Sequence, residues 1–248
     1  MEIMKYSIKR KSKNIQKAAF RSALILVSAF AILFPMASEA ATVEKVKGDH
    51  SENADSIFSA RYVFENIHLS SLEILPRSTR LDMLDYWDVD SVYKASNLME
   101  GLSWIENLTT DYLKVRISAV STLEFKILPL KKGKIIMTIN TVGDEVQAQD
   151  SSVKFYDENF KELNTDKYLV IPEVKDFFEI PKGSVTKMKE IELMIPFPTI
   201  AYSANPDNNN LEARLTVEQY INQDDWNIAK LFIKPHITLI WEKYRYKY

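Results

Sequence analysis

Cysteine is absent from this 248-residue sequence, and glycine is scarce, with five residues in all. Without cysteine the chain can form no disulfide and no thiolate metal site, so disulfide-stapled folds and cysteine-ligated zinc sites are excluded. Glycine makes up about 2% of the residues, against a usual ~7%, and the glycines are too far apart to form a phosphate-binding loop or a dinucleotide fingerprint. Hydrophobic residues make up 46% of the chain, which excludes the disordered and collagen-like classes.

The N-terminus has almost no acidic residues. The first 21 residues contain seven lysines and arginines and a single acid, and no charged residue occurs in 22–38. This apolar run contains Pro35 and leads to Ser38-Glu39-Ala40, a pattern of small residues that signal peptidase requires. We therefore predict that residues 1–40 are a signal peptide, cleaved between Ala40 and Ala41. An uncleaved anchor is the weaker alternative, because the uncharged stretch has 17 residues and a membrane span needs about 20.

The charge of the cleaved chain limits its partners. Residues 41–248 contain 25 lysines and arginines against 32 acids, a net charge near −7. Binding to nucleic acid or to an anionic membrane requires clustered Lys and Arg, so a nucleic-acid partner is not expected. Without cysteine there is also no acceptor for a lipid anchor at the cleavage site. The sequence therefore predicts an exported protein, periplasmic or extracellular, with no membrane span in its mature form.

Two helices are predicted in the first part of the mature chain. Residues 41–54 are polar and predicted to be flexible, and 55–248 is predicted to be a single α+β domain. From Asp55 to His68 apolar residues recur at helical spacing, at Ile57, Ala60, Phe64 and Ile67. Asn53 and Asp55 are both suitable N-caps for this helix. A second helix is predicted over RSTRLDMLDYWDVD, with Thr79 as its cap and Asp82 at the third helical position.

After about residue 92 the hydrophobic pattern changes to period two, which is typical of strands. The pattern predicts two strands between Tyr112 and Pro129, joined by a turn near Ser121. It also predicts that Lys131 to Lys134 form the turn that leads to the next strand. A short helix is predicted over 173–178. Further strands are predicted at 135–142, 147–156, 191–196, 211–217 and 231–241. The fold class is therefore α+β, with N-terminal helices packed on a mostly antiparallel sheet arranged as a meander.

Several short motifs in residues 57–178 are shared with a known family. They are Arg80-Leu81-Asp82-Met83-Leu84-Asp85-Tyr86, Asp111-Tyr112-Leu113, the strand TLEFKILP at 122–129, Asp150-Ser151 and Phe155-Tyr156-Asp157. In these motifs the chain resembles an uncharacterised family of exported bacterial proteins, domain of unknown function 3256, known from Gram-negative gut-type anaerobes. The resemblance implies a signal peptide, an α+β fold and no assigned activity. It supplies no catalytic residues.

Four carboxylates lie within nine residues, at Asp82, Asp85, Asp88 and Asp90. Asp82 and Asp85 share a helix face, so the cluster could bind a ligand or Ca²⁺, or serve as an acid and base pair. The alternative is structural, with Asp82 stabilising the start of a helix, Asp85 paired with Arg80 or solvent, and Asp88 and Asp90 in the exit turn. The glycine and terminal glutamate of a calcium-binding EF-hand loop are missing.

Other candidate chemistry is weaker. The histidines, His50, His68 and His236, have no metal-binding spacing, and no G-x-S-x-G turn accompanies them as a serine hydrolase site. His236 is expected on the polar face of its strand. The tail from Trp241 to Tyr248 alternates aromatic and charged residues, and we predict a strand that ends in a solvated tail. No catalytic residue, metal site or cofactor is predicted.

The leading functional hypothesis is an exported envelope protein without enzymatic activity, a binding or accessory module whose partner is an envelope protein or glycan. The alternative is an envelope hydrolase, directed at glycans, that uses Asp82 and Asp85 as acid and base. Two carboxylates of a glycosidase face each other across a cleft, about 5 Å or 6.5 to 9.5 Å apart. A convex, solvated helix face at Asp82 and Asp85 would leave the hydrolase hypothesis without support.

Overall fold

The computed structural model describes residues 58–89, 93–144, 148–181, 184–195 and 197–248. The predicted signal peptide, its cleavage site at Ala40 and Ala41, the flexible segment 41–54 and Asp90 lie outside the described residues. Within those residues, no helix is both long enough and apolar enough to cross a bilayer.

The larger of two antiparallel sheets has seven strands in chain order. They are β1 Ala95–Ser96, β2 Leu102–Leu108, β3 Tyr112–Ser118, β4 Ser121–Pro129, β5 Lys134–Val142, β6 Asp150–Tyr156 and β7 Glu162–Leu163. Each strand pairs with the next along the chain, as the alternating pattern predicted for a meander. The central pair β4–β5 keeps one register over nine residue pairs, from Ser121 opposite Val142 to Pro129 opposite Lys134.

The smaller sheet is built from the C-terminal third of the chain. Its strands are β8 Ile200–Ala204, β9 Leu211–Leu215, β10 Ile237–Glu242 and β11 Arg245–Lys247, in the order β11-β10-β9-β8. The asparagine-rich segment 205–210 is the turn between β8 and β9, and Asn205 and Asn208 accept hydrogen bonds from backbone amides of that turn. In the order given above, β8 and β11 are the edge strands of this sheet.

Four α-helices accompany the sheets in the described residues: α1 Ala60–Asn66, α2 Arg77–Asp88, α3 Val185–Met194 and α4 Gln223–Ala229. Single turns of 3-10 helix occur at Ser70–Leu72, Thr165–Lys167, Val174–Phe177 and Lys230–Phe232. With two antiparallel sheets and these helices, the α+β fold class is confirmed and sheet predominates.

Both predicted N-terminal helices are present, but their predicted starts were wrong. The first begins at Ala60, capped by the hydroxyl of Ser59, which accepts a hydrogen bond from the Tyr62 amide at 3.3 Å. The second begins at Arg77, directly after Pro76, so Thr79 lies inside it and Asp82 lies well past its first turn. Proline is favoured just before and at the first residue of a helix. Pro76 therefore sets this boundary without a side-chain cap.

The two faces of β4 belong to different cores. Leu123, Phe125 and Ile127 share a buried cluster with Phe64 of α1, whose ring centroid lies 6.1 Å from that of Phe125. On the opposite face, Leu128 belongs to a second cluster that contains residues of the smaller sheet. From β5, Ile135, Met137 and Ile139 join this second cluster. The larger sheet is therefore buried on both faces along β5.

Two strand predictions in the C-terminal half need correction. Residues 191–194, predicted as the start of a strand, end helix α3, because a short apolar run does not distinguish a strand from a helix end. The strand predicted to begin at 231 begins at Ile237, and residues 230–232 form a 3-10 turn. The predicted short helix at 173–178 is a 3-10 turn, Val174–Phe177.

The prediction of a solvated tail is also wrong. The segment after Trp241 turns back as strand β11, and the Tyr246 side chain is fully buried. The Tyr246 amide donates to the carbonyl of Tyr168 at 2.7 Å, and the Val170 amide donates to the carbonyl of Tyr246 at 3.2 Å. The alternation of aromatic and charged residues therefore marks a buried and an exposed side of one short strand.

Candidate functional site

Two oppositely charged side chains are buried side by side on strand β4. Glu124 and Lys126 have relative exposures of 2% and 1%. They point to the face opposite Leu123 and Phe125 because successive side chains of a strand alternate between faces. Charged groups are rarely buried without partners, so their contacts indicate what this face does.

The Glu124 carboxylate has three donors around it. One oxygen accepts a hydrogen bond from the Tyr112 hydroxyl at 3.2 Å and from the Ala204 backbone amide at 3.0 Å. The Nζ of Lys114 lies 3.4 Å from the other oxygen. Since Tyr112 and Lys114 lie on β3 and Ala204 on β8, Glu124 connects the two sheets.

Lys126 makes the complementary connection. Its Nζ donates to the backbone carbonyl of Pro206 at 3.2 Å and pairs with the Asp111 carboxylate at 2.8 Å. Glu124 thus accepts from an N–H group of β8, and Lys126 donates to a C=O group of the β8–β9 turn.

Strand β8 lies against this polar face although no strand among the described residues pairs with its outer edge. The amides of Ile200, Tyr202 and Ala204 donate to side-chain oxygens of Asp150, Ser151 and Glu124, at 3.3, 3.0 and 3.0 Å. Alternate amides of an antiparallel strand point away from its partner, so these are the donors that an edge strand leaves unpaired. Side chains of the larger sheet therefore accept the hydrogen bonds that a neighbouring strand would accept at this edge. Together with the Lys126 contact to Pro206, these hydrogen bonds form a polar seam between the two sheets.

A cavity of about 410 Å³ lies where the two sheets meet beside this seam. Its charged or titratable lining residues are Lys114, Glu124, Tyr202, Glu212, Arg214 and His236. Thr122, Thr141, Gln149 and Ser203 add neutral donors and acceptors. Arg214 is oriented by a 2.9 Å hydrogen bond to the side chain of Gln149. The volume falls in the range of small-molecule sites, and the lining presents both signs of charge.

The protonation of the cleft follows from burial. Loss of solvation raises the pKa of the Glu124 carboxyl, and Lys114 with the donors Ala204 and Tyr112 opposes that rise. Burial and the nearby Glu124 raise the pKa of the Tyr112 hydroxyl, which therefore stays a proton donor at neutral pH. A carboxyl so placed can hold a hydrogen-bonded group, and it can also take up a proton above the usual pH range of glutamate.

The sequence-predicted aspartates lie elsewhere. Asp82, Asp85 and Asp88 are exposed on α2, and Asp88 pairs with Arg61 of α1. None of the three lines the cavity between the sheets or any of three other cavities formed by described residues. No group of three or more metal-ligating side chains occurs in the part of the chain that the structure describes. The structure therefore brings Asp82 and Asp85 to a solvated helix face rather than across a cleft.

Of the histidines, His236 is exposed and lines the cleft between the sheets, whereas His68 lies at a separate polar cavity near the end of α1. His50 lies outside the described residues. The buried Arg80 donates to the Phe64 and Ile67 carbonyls and so stabilises the carboxyl end of α1.

Sequence reasoning missed Glu124 and Lys126, although a signal was present. In TLEFKILP the two charges alternate with the apolar residues Leu123, Phe125 and Ile127, which suggests a solvated face. The neighbouring strand, however, is apolar at successive positions from Ile135, and a strand that is apolar on both sides is covered on both sides. That cover extends over Glu124 and Lys126.

Comparisons with known proteins agree with the fold and assign no activity. A family model described as "Protein of unknown function (DUF3256)" matches residues 55–246. A solved structure described as a domain of an uncharacterized protein from Porphyromonas gingivalis W83 has 22% sequence identity and a TM-score of 0.63, covering 75% of this chain and 96% of that one. At that identity the likeness shows the fold alone. No curated protein matches the chain.

Proposed function

The chain belongs to the family of proteins of unknown function DUF3256, and from the cleft we propose that it is an exported, non-enzymatic binding module of the bacterial envelope. Its ligand site is the cavity between the two sheets. The observation that carries the proposal is the mixed lining of that cavity, with Lys114 and Arg214 beside Glu124 and Glu212. Such a lining suits a small polar ligand with both donors and acceptors, such as a short glycan or peptide.

Binding is favoured over hydrolysis by the state of Glu124. It is the carboxyl in the cleft whose pKa is raised, as a general acid requires. Its oxygens, however, already accept from Tyr112 and Ala204 and lie beside Lys114. A general acid has to reach the substrate and give up its proton there, and these bonds fix Glu124 in the seam instead.

Export is supported by the N-terminal sequence, with its basic segment, apolar run and small residues before Ala41. Mass spectrometry of protein recovered from the cell envelope is expected to give a chain that begins at Ala41. An intact N-terminus in the membrane fraction would contradict this part of the proposal.

We further propose that residues 55–248 fold as one domain in which the N-terminal helices cover one face of the larger sheet. The contact between Phe64 and Phe125 supports this role, as does the 2.9 Å hydrogen bond from the Ala60 amide to the Thr110 carbonyl. Near- and far-ultraviolet circular dichroism should report one coincident unfolding transition. Two separate transitions would contradict the proposed arrangement.

The cleft can be tested by NMR titration of the purified protein with N,N′-diacetylchitobiose and with the dipeptide alanyl-glutamate. Shifts confined to amides around the cavity, such as Ser203 and Glu212, are expected with at least one probe. Arg214→Gln should weaken that binding about tenfold through loss of one charged hydrogen bond. Glu218→Gln, an exposed change outside the cavity, is the control. No cleft shifts at millimolar concentrations of either probe would contradict the proposed site.

A further inference from the structure

A second cavity of about 450 Å³ lies on another part of the molecule. Three segments distant in sequence form it: the β4–β5 turn, the 3-10 turn at Thr165–Lys167, and the β10–β11 hairpin. Its lining residues are Leu130, Lys131, Lys132, Lys167, Tyr168, Lys243, Tyr244, Arg245 and Lys247. Six of the nine are cations, and none is a carboxylate.

The concentration of positive charge is unusual for this chain. The whole sequence has a net charge of −2, and its residues after position 40 are more acidic still. None of the five lysines at this cavity forms a salt bridge with another residue of the described chain. Like charges gathered around one concave surface repel one another and raise the local positive potential, which a bound anion would relieve.

Arg245 gives a second, independent indication. One guanidinium nitrogen donates to the backbone carbonyl of Asp166 at 3.0 Å, which holds the group at the cavity. The Nε of the same group is buried and has no hydrogen-bond partner within the described chain. A buried donor without an acceptor is costly. An anion in the cavity would offset this cost by pairing with the partly exposed remainder of the same guanidinium.

The cations stand on a fixed backbone. Tyr246 is buried and bonded through its backbone to Tyr168 and Val170. Trp241, at the end of the same hairpin, donates from its indole to the Pro129 carbonyl at 3.2 Å. The hairpin turn has positive φ at Lys243 and Tyr244, 47° and 64°, as a tight two-residue turn of this kind requires. The three segments are therefore tied together, and only the lysine side chains need to adjust to a ligand.

We propose that this basic cavity binds a compact polyanion, a ligand with at least two phosphate, sulfate or carboxylate groups. Arg245 contacts the ligand through a charge-assisted hydrogen bond, and the lysines contact the remaining charges. The exposed Tyr244 side chain offers surface for the ligand's framework, such as a sugar ring. The proposal is independent of the cleft between the sheets, which shares no lining residue with this cavity.

Isothermal titration of the purified protein with tripolyphosphate, a sulfated heparin disaccharide and trigalacturonate tests the proposal and distinguishes the three anionic groups. Saturable binding of at least one probe is expected. Its affinity should fall at high salt, because salt screens the attraction between exposed charges that are more than about 10 Å apart at 0.1 M. Arg245→Gln and the double variant Lys131→Gln with Lys132→Gln should each raise Kd about tenfold.

The matched control is the double variant Lys161→Gln with Lys189→Gln, which removes two exposed charges away from the described cavities. It should leave Kd unchanged within about twofold, since general charge effects on a distant site are small. An equal loss in the control would overturn the site, as would failure of all three probes to bind. Binding only to vesicles of phosphatidylcholine with phosphatidylglycerol would also overturn it, in favour of a membrane surface. The lysine double variant lies in an exposed turn, so it keeps the test valid if Arg245→Gln does not fold.

Discussion

The two faces of the larger sheet are covered by different chemistry. On the face of Phe125, one apolar cluster contains Phe64, Leu123 and Phe125, and the buried Arg80 lies over the Phe64 ring. On the side of the smaller sheet, contacts along β5 are apolar, whereas contacts along β4 run through the buried charges Glu124 and Lys126. Apolar packing dominates the first face, whereas the second face adds a polar seam between two sheets.

The difference reflects what is being covered. A helix satisfies the backbone groups of its interior, and groups at the ends of α1 bond to Ser59, Thr110 and Arg80. Strand β8 is an edge with outward amides, and burial against another sheet would leave those amides without partners. Asp150, Ser151 and Glu124 supply the missing acceptors. A sheet docked by its edge therefore requires polar side chains on the surface that receives it.

The apolar face should show the largest effect. Phe64→Ala is expected to cost about 3 to 5 kcal/mol in the free energy of unfolding, because a fully buried ring is lost and a cavity remains. Arg61→Ala, on the partly exposed side of the same helix, is the control. It should cost no more than about 1 kcal/mol, the value of an exposed ion pair such as that with Asp88. Urea unfolding measures both, and equal costs would make α1 a peripheral element.

Substitutions in the polar seam should have the second-largest effect on the free energy of unfolding. Glu124→Ala leaves the Ala204 amide and the Tyr112 hydroxyl without their acceptor, so a cost of about 2 to 4 kcal/mol is expected. Glu124→Gln keeps an acceptor and should cost less. The exposed Glu212→Ala is the matched control, with a change within about 0.5 kcal/mol. If Glu124→Ala were as mild as Glu212→Ala, the seam would contribute nothing to stability.

The pH dependence of the seam gives a smaller effect with a definite sign. Burial raises the folded-state pKa of Glu124 above its ordinary value of 4.5, so the folded state binds the proton more tightly than the unfolded state. That contribution is complete below pH 4.5 and is lost as the pH rises through the folded-state pKa. From about pH 4.5 upward, wild type should therefore lose stability relative to Glu124→Gln. Parallel stability curves for the two proteins would contradict this.

Calcium should have the smallest effect, because the carboxylates of α2 lie on neither seam nor cavity. Millimolar Ca²⁺ should leave the melting temperature unchanged, whereas binding at a hundredfold excess over Kd would add ~2.7 kcal/mol. A rise of several degrees that disappears in Asp85→Asn would show that Asp82, Asp85 and Asp88 form a site after all.

Alternation along the strands was enough to predict the meander and the residues that share a face with Phe125. Periodicity also identified Ala60, Phe64 and Ile67 as buried, although Ile67 directly follows the last residue of α1. It could not show that the face of Glu124 is covered, because the cover is formed by Ala204 and Pro206, 80 residues further along the chain. The prediction of a solvated tail was wrong for the same reason, since the backbone amide of Tyr246 donates to the carbonyl of Tyr168. The two cavities proposed as binding sites depend on such long-range contacts.

Amide hydrogen exchange at Ala204, compared between wild type and Glu124→Ala, tests the polar seam most directly. The Ala204 amide points away from β9, and it donates its hydrogen bond to the Glu124 carboxylate at 3.0 Å. We predict that this amide is protected in wild type and exchanges much faster in Glu124→Ala, while the Ala213 amide on β9 keeps its protection relative to the global stability of each protein. Rapid exchange of Ala204 in wild type, or equal protection in both proteins, would contradict the account.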